Sequence, residues 1–99
     1  MTFQEIIQGE TPVLVDFFAT WCQPCQVLAP TLEQLAARHE NTLRILKVDV
    51  DKNSAAAANY QVSGVPTLIL FKQGKAVWRQ SGALPLHAIE QALAPHLAE

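Results

Sequence analysis

The chain is poor in the features that mark membrane proteins and nucleic-acid-binding proteins. No apolar run in its 99 residues approaches the roughly twenty that span a bilayer. Lys and Arg number 7 against 9 Asp and Glu, for a formal net charge of -2, and the positive charges are scattered instead of gathered into a basic stripe. We therefore expect neither a membrane partner nor a nucleic-acid partner.

The sequence also lacks the marks of secretion and of several domains. Residues 1–7 have neither the basic segment nor the long apolar segment of a secretory signal. No internal repeat, low-complexity linker or charge block divides the chain. A chain of 99 residues has room for one domain, which at that size buries roughly two thirds of its unfolded surface. We expect a single domain over residues 1–99, located in the cytoplasm.

Cysteine is scarce, and the two that are present, Cys22 and Cys25, are two residues apart. Zinc requires four ligands, and the three histidines of the chain have no metal-type spacing and are expected on solvated helix faces. A bridge that encloses two residues removes little entropy from the unfolded chain, which disfavours a purely structural disulfide. The pair favours a redox centre, with the zinc site and the structural bridge as alternatives. The histidines are His39, His87 and His96.

Hydrophobic patterning predicts four strands. Residues 12–19 form a nearly continuous run of β-branched and aromatic side chains, typical of a central strand buried on both faces. Residues 43–50 alternate, with one apolar face. Two further β-rich runs, 66–72 and 75–81, are separated by Gln73-Gly74, which indicates a hairpin. The apolar face of the second strand consists of Leu46, Val48 and Val50.

Helical spacing predicts a long helix over about residues 23–40. Pro24 falls in its first turn, where a missing N–H costs nothing, and Pro30 should kink it. A helix that begins at the cysteines would stabilise a thiolate on Cys22 through its unpaired N–H groups and its dipole. A last helix starts near Pro85, and Pro95 should bend it or end it early.

The order of these elements indicates an α/β fold. A short helix through the alanines at 55–58 completes the series helix, strand, helix, strand, helix, strand, strand, helix. A strand, a crossover helix and a strand, followed by a hairpin, give a mixed sheet with helices on both faces.

Asp16 is the second chemical signal, because a carboxylate within a buried strand should cost several kcal/mol if it stayed ionised without a partner. Burial would raise its pKa, so that it could exchange a proton with a sulfur near neutral pH. Lys47 is the natural partner if the two strands are neighbours. A structural ion pair without a catalytic part is the alternative.

Five separated motifs occur in the order and spacing of one known family. They are Val15 to Cys25 with Pro30 downstream, Lys47 to Asp51, Gly64 to Thr67, Phe71 to Gly74, and Gly82 to Leu84. On these motifs the chain resembles the thioredoxin family along almost its whole length. The resemblance implies a three-layer α/β/α sandwich.

The resemblance implies a role for each residue of the redox centre. Cys22 is expected to be the exposed nucleophile and Cys25 the buried resolving thiol. Asp16 would help to deprotonate Cys25, and Lys47 would modulate Asp16. Gln23, with Pro24 in the same motif, would tune the redox poise and target preference, because the family usually has Gly at position 23.

A substrate groove is also implied. Pro66 matches a cis-proline of the family, and Val65 before it would present backbone groups to an extended substrate segment, a short case of strand addition. Glycines at the border would admit another backbone closely. The residues that border the groove are Trp21, Gly64, Val65, Pro66, Gly82 and Ala83.

The activity implied by the resemblance is protein-disulfide reduction. Electrons would come from NADPH through a flavoprotein, thioredoxin reductase, and the chain would bind no cofactor or metal, using the Cys22–Cys25 disulfide instead. Its partners would be that reductase and disulfide-containing proteins. One alternative is an interaction module of the same fold with idle thiols, and another is a specialised oxidoreductase serving one partner.

Two departures from the family concern structure. Phe18 stands in place of the usual Trp, which should preserve packing but removes an indole donor. The chain starts at what resembles the family's first helix, so we expect four strands in the order 43–50, 12–19, 66–72, 75–81. The 43–50 strand would then be an edge open to pairing with another chain. We expect a monomer, with an edge-strand dimer as the alternative.

Overall fold

The computed structural model describes residues 1–97 and contains the predicted series of elements. Each predicted strand lies within about a residue of its observed position. The elements are α1 (Phe3–Ile7), β1 (Val13–Phe18), α2 (Gln23–Arg38), β2 (Arg44–Asp49), α3 (Ser54–Asn59), β3 (Thr67–Lys72), β4 (Lys75–Ser81) and α4 (Leu86–Leu97).

The four strands form one mixed sheet in the order β2-β1-β3-β4, which confirms the predicted order. The β1 and β2 strands are parallel, as the crossover through α2 requires, whereas β1 with β3 and β3 with β4 are antiparallel. Within residues 1–97, β2 is therefore an edge strand. The β1 strand lies inside the sheet, and its apolar composition follows from burial on both faces.

Side chains of β1 point alternately to two separate cores. Leu14 belongs to the core under α2 and α4, and Val13, Val15 and Phe17 belong to the core under α1 and the segment after α3. Helices therefore cover both faces, and the α/β/α sandwich is confirmed. Trp78 packs against the first core, as expected. The helices supply that core with Leu28, Leu32, Leu35, Ile89 and Leu93.

Both long helices contain a proline in their interior. The α2 helix contains Pro30 and continues to Arg38. The sequence predicts that Pro95 bends α4 or ends it early, and the early end is wrong, because the helix continues through Pro95 to Leu97. A proline removes one N–H donor, and the neighbouring hydrogen bonds and the packing of Leu93 into the core keep the helical path.

His39 does not lie on a solvated face. Its Nε2 atom is 3.0 Å from Glu90 Oε2, and Arg38 Nε is also 3.0 Å from that oxygen. The His39 side chain is 28% exposed. The end of α2 is thus tied to α4 by polar contacts, which helical spacing alone could not show.

None of the helices in residues 1–97 is long and apolar enough to cross a membrane.

Candidate active site

Cys22 and Cys25 form a disulfide at the start of α2, with their Cα atoms 5.2 Å apart. Cys22 is the N-cap of the helix, and its Sγ atom accepts a hydrogen bond of 3.1 Å from the backbone N–H of Cys25. An N-terminal N–H group and the helix dipole both favour negative charge at this sulfur. The predicted position of the helix start is confirmed, with Pro24 in its first turn.

The expectation that Cys22 is exposed is wrong for the disulfide form. Cys22 is 3% exposed and Cys25 is 5% exposed, so burial does not distinguish them. Both pack with Ala19, and the half-buried side chains of Phe18 and Val65 adjoin them. The asymmetry of the pair lies in the helix, because Cys22 caps it and Cys25 lies inside its first turn.

Asp16 lies in the middle of β1, on the sheet face covered by α2 and α4, and is 1% exposed. Its Cα partner in β2 is Lys47, as predicted for neighbouring strands. Among residues 1–97 no hydrogen bond reaches Asp16 Oδ1. Burial raises the pKa of Asp16 from 3.8 to about 6, and the charge of Lys47 opposes that rise.

Lys47 lies beside the disulfide region without a close ion pair to Asp16. Its Nζ atom is 4.8 Å from the centroid of the Phe18 ring, a cation–π distance. A cavity of about 210 Å³ lies between Lys47 and Cys25, and Phe18 also lines it. This cavity is wide enough to admit solvent to the Cys25 side of the disulfide.

The Val65–Pro66 peptide bond is cis, as the family resemblance implies. Two hydrogen bonds fix the loop that contains this bond, one on each side of it. The Thr67 hydroxyl donates to the Gly64 carbonyl at 2.7 Å, and the Gly82 N–H donates to the Pro66 carbonyl at 2.8 Å. Val65 packs against the cysteine cluster. The loop therefore lies directly beside the disulfide.

The glycines of the groove leave space at the surface. A Cβ atom at Gly64 or at Gly82 would meet no heavy atom within 4 Å. Gly82 has a φ of 88°, which a side chain would strain, and Ala83 after it is exposed. Both positions leave room for another main chain.

Trp21 is an exposed wall of the site. The side chain is 70% exposed, although its Nε1–H donates to Asp51 Oδ2 at 2.9 Å. A groove of about 130 Å³ runs between Trp21 and the Gly64–Val65 segment. Val50 and Val62 also line this groove.

Gln23 and Pro24 occupy the exposed first turn of α2. Val27, one turn further along the helix from Gln23, is 64% exposed. This apolar side chain extends the exposed surface beside the cysteines.

Sequence reasoning missed Asp51 and Thr67 as site residues. Asp51 orients the Trp21 ring, and Thr67, 1% exposed, fixes the Gly64 carbonyl and lies 3.3 Å from the Ser81 hydroxyl. Both residues stand inside motifs that carried the family resemblance. The signal for Thr67 was a hydroxyl placed directly after a proline at the start of an otherwise apolar strand.

The metal-ligating side chains are dispersed. No group of three or more His, Cys, Asp or Glu residues in positions 1–97 could hold a metal ion.

Comparison with known proteins agrees with this geometry. The family model for thioredoxin matches residues 1–95. The chain belongs to the thioredoxin family. It is 39% identical over 94 residues to thioredoxin 1 of Nostoc sp., which covers 95% of this chain and 88% of that protein. It is 44% identical over 92 residues to thioredoxin of Alicyclobacillus acidocaldarius, covering 93% and 88%, and 50% identical over 84 residues to thioredoxin of Staphylococcus aureus, covering 85% and 81%.

Membership in the thioredoxin family and the Cys22–Cys25 pair together make this protein a thiol–disulfide oxidoreductase with protein-disulfide reductase function. Thioredoxins use a redox-active disulfide in place of a bound cofactor. Reductases and disulfide-containing substrates are the general partners of the family. The alternative of an interaction module with idle thiols is not favoured.

Proposed function

We propose that this protein reduces disulfides in other proteins with Cys22 as the attacking thiol and Cys25 as the resolving thiol. The observation that carries the assignment is the hydrogen bond from the Cys25 N–H to Cys22 Sγ at the N-cap of α2. After reduction, the same N–H group would stabilise a thiolate on Cys22. Cys25 lies inside the first turn of the helix and does not have the capping position.

Exchange then proceeds in two balanced steps. The Cys22 thiolate attacks one sulfur of the substrate disulfide, forms a mixed disulfide, and releases the other substrate sulfur as a thiolate. The Cys25 thiolate attacks Cys22 Sγ, which forms the Cys22–Cys25 disulfide and releases the second substrate thiolate. Two electrons pass from the dithiol to the substrate, and two protons complete the released thiols.

Asp16 serves the second step as the proton acceptor for Cys25. Its carboxyl group lies on the sheet face that α2 covers, and its pKa of about 6 suits proton transfer near neutral pH. The cavity between Cys25 and Lys47 gives solvent a route for the proton. Lys47 keeps the pKa of Asp16 from rising further.

The substrate lies in extended form along the loop before Pro66. Val65 offers its backbone groups to the substrate, and Trp21 forms the opposite wall. The open space at Gly64 and Gly82 supports close approach of a second main chain. Ala83 completes the border of this groove.

The residues between the cysteines tune the exchange. Gln23 carries no charge and adds no cation near Cys22, which argues for a reductant instead of an oxidant. Pro24 fixes the first helical turn in which Cys25 lies.

We also propose the source of electrons, the location and the oligomeric state. The disulfide is reduced by a flavoprotein thioredoxin reductase that draws on NADPH, in the cytoplasm. Residues 1–99 act as a single domain, although residues 98 and 99 lie outside the described range. The protein acts as a monomer, and pairing of two β2 edges is the alternative, which light scattering at high concentration distinguishes.

The test is reduction of a protein disulfide by NADPH and a thioredoxin reductase, with the wild type, Cys22→Ser and Cys25→Ser compared. We expect turnover only with the wild type, because each variant lacks one of the two exchange steps. Cys25→Ser should accumulate mixed disulfides through Cys22, detectable by mass spectrometry. Full activity of Cys22→Ser would refute the assignment of the nucleophile.

A further inference from the structure

Lys47 is held by an aromatic ring and not by the carboxylate opposite it. Its Cα atom pairs with that of Asp16 across β1 and β2. No ion pair within 4.0 Å joins the two side chains among residues 1–97, whereas Lys47 Nζ lies 4.8 Å from the centroid of Phe18. The ammonium group thus sits further along β1 than its strand register alone would place it.

The strand pattern explains why these three side chains meet. Asp16 and Phe18 are two residues apart in β1 and therefore share one face. Lys47 follows Ile45 by two residues, and Ile45 packs in the core of that same face. All three lie beneath α2, on the side of the sheet that carries the cysteines.

Lys47 also lines two neighbouring cavities along α2. One, of about 160 Å³, is lined by Glu33, Leu32 and Ile45 as well as Lys47. The other, of about 210 Å³, is lined by Cys25 and Phe18 as well as Lys47. A flexible ammonium group at this point has two competing environments, the Glu33 carboxylate and the Cys25 region. The observed side chain lies over Phe18, on the Cys25 side.

We propose that Phe18 is a positioning residue for proton transfer in this protein, because its ring holds the Lys47 ammonium over the cavity beside Cys25. The ring face attracts the cation, and its partly buried position strengthens that attraction. The proposal rests on the proposed role of Asp16 as the proton acceptor. It gives Phe18 an electrostatic function in addition to packing.

The charged and titratable groups around Asp16 are few. Lys47 faces it from β2, and Cys25 and Glu33 belong to the helix above. From β3 its Cα partner is Leu68, which carries no charge. Burial is the larger effect and raises the pKa of Asp16, and the position of this one ammonium group determines how strongly that rise is opposed.

The first experiment measures the titration of the Asp16 carboxyl carbon by NMR in the oxidised protein. It compares the wild type with Phe18→Leu, Phe18→Trp, Lys47→Met and the double variant Phe18→Leu/Lys47→Met. Phe18→Leu should let the Lys47 ammonium group move toward Glu33 and away from Asp16, and so raise the pKa of Asp16 above its value of about 6, in the direction of Lys47→Met. Phe18→Trp should keep the wild-type titration, because it retains an aromatic face.

The double variant separates electrostatics from packing. Phe18→Leu should shift the titration in the presence of Lys47 and leave it unchanged in the Lys47→Met background. An equal shift in both backgrounds, or no shift in either, would overturn the proposal, because the ring would then act by packing alone or not at all. Glu40→Gln is the matched control, because it removes an exposed carboxyl group beyond the far end of α2, and it should leave the titration unchanged.

A kinetic experiment connects the titration to the reaction. Release of substrate from a preformed Cys22 mixed disulfide should be about twofold slower in Phe18→Leu at pH 6, with the difference vanishing by pH 8. A constant rate ratio across this pH range would overturn the inference. The NMR titration is independent of turnover, so loss of the Asp16 role in the reaction would leave the Phe18–Lys47 coupling measurable.

Discussion

The two faces of the sheet bury side chains of different chemistry. The face under α1 and the segment after α3 is apolar and aromatic, and the rings of Phe3, Phe17 and Phe71 each lie beside the ring of Tyr60. The face under α2 and α4 has an apolar core too, but it contains the buried carboxyl group of Asp16. A single strand, β1, supplies both environments by alternation. The core of the aromatic face consists of apolar side chains and so favours stability. The other face buries a carboxyl group, which lowers stability at neutral pH.

The largest effect should follow from a change on the aromatic face. Phe17 is fully buried, so Phe17→Ala should lower the free energy of unfolding by about 3 to 5 kcal/mol, and the smaller change Phe17→Leu by about 1 to 2 kcal/mol. Urea denaturation measures both. Disulfide reduction per folded molecule should be unchanged. A shift of the Asp16 pKa in these variants would show that the aromatic core and the Asp16 site are not independent.

Asp16→Asn should raise the free energy of unfolding at neutral pH, whereas the Phe17 variants lower it. The folded-state pKa of about 6 exceeds the unfolded value of 3.8, so the folded protein binds more protons between these limits. The contribution of Asp16 to stability is therefore greatest below about pH 4 and is lost as pH rises to about 6. Replacing the carboxyl group should remove that loss, stabilising the protein above pH 7 by on the order of 3 kcal/mol and hardly at all below pH 4.

Denaturant titrations at several pH values test this prediction. Glu33→Gln is the control, because it removes a carboxyl group from an exposed part of α2 and should change stability by less than about 0.5 kcal/mol. The Asn variant should also release substrate from the mixed disulfide more slowly. An Asp16→Asn protein that is less stable than the wild type at pH 8 would contradict the energetic contrast between the faces.

The smallest effect concerns charges on the same face but far along α2 from the cysteines. Glu90→Gln weakens the contacts with Arg38 and His39 and should cost about 0.5 to 1 kcal/mol, because the Arg38 side chain is 60% exposed. The loss should shrink in 1 M salt. Reductase activity should stay at the wild-type value, and a clear fall would mean that the two ends of α2 are coupled.

The architecture was predictable because periodicity and a few special residues determine it locally. The continuous apolar run of β1 predicted an inner strand, and Gln73-Gly74 predicted the hairpin. The strand register then placed Lys47 opposite Asp16, as the sequence indicated. Each of these inferences depends on neighbours in sequence or on one pairing.

Features that depend on several distant groups were not predictable. The burial of Cys22 arises when the disulfide packs against Val65, which is more than forty residues away in the chain. The Lys47 ammonium group lies over the Phe18 ring, whereas strand register alone pointed to Asp16. The ties of His39 to Glu90 and of Trp21 to Asp51 likewise join separate elements.

The hydrogen bond between Gly82 and Pro66 limits how a substrate can attach. Proline has no N–H, and the Pro66 carbonyl already accepts from the Gly82 N–H. Val65 is then the last residue before β3 whose main chain is available to a second strand. In the proposed docking mode a substrate would pair with one residue and not with a long ladder, so unrelated proteins would qualify if they present a short extended segment beside their disulfide. On this proposal, a broad choice of substrates would follow from the hydrogen bond that occupies the Pro66 carbonyl and shortens the edge open to docking.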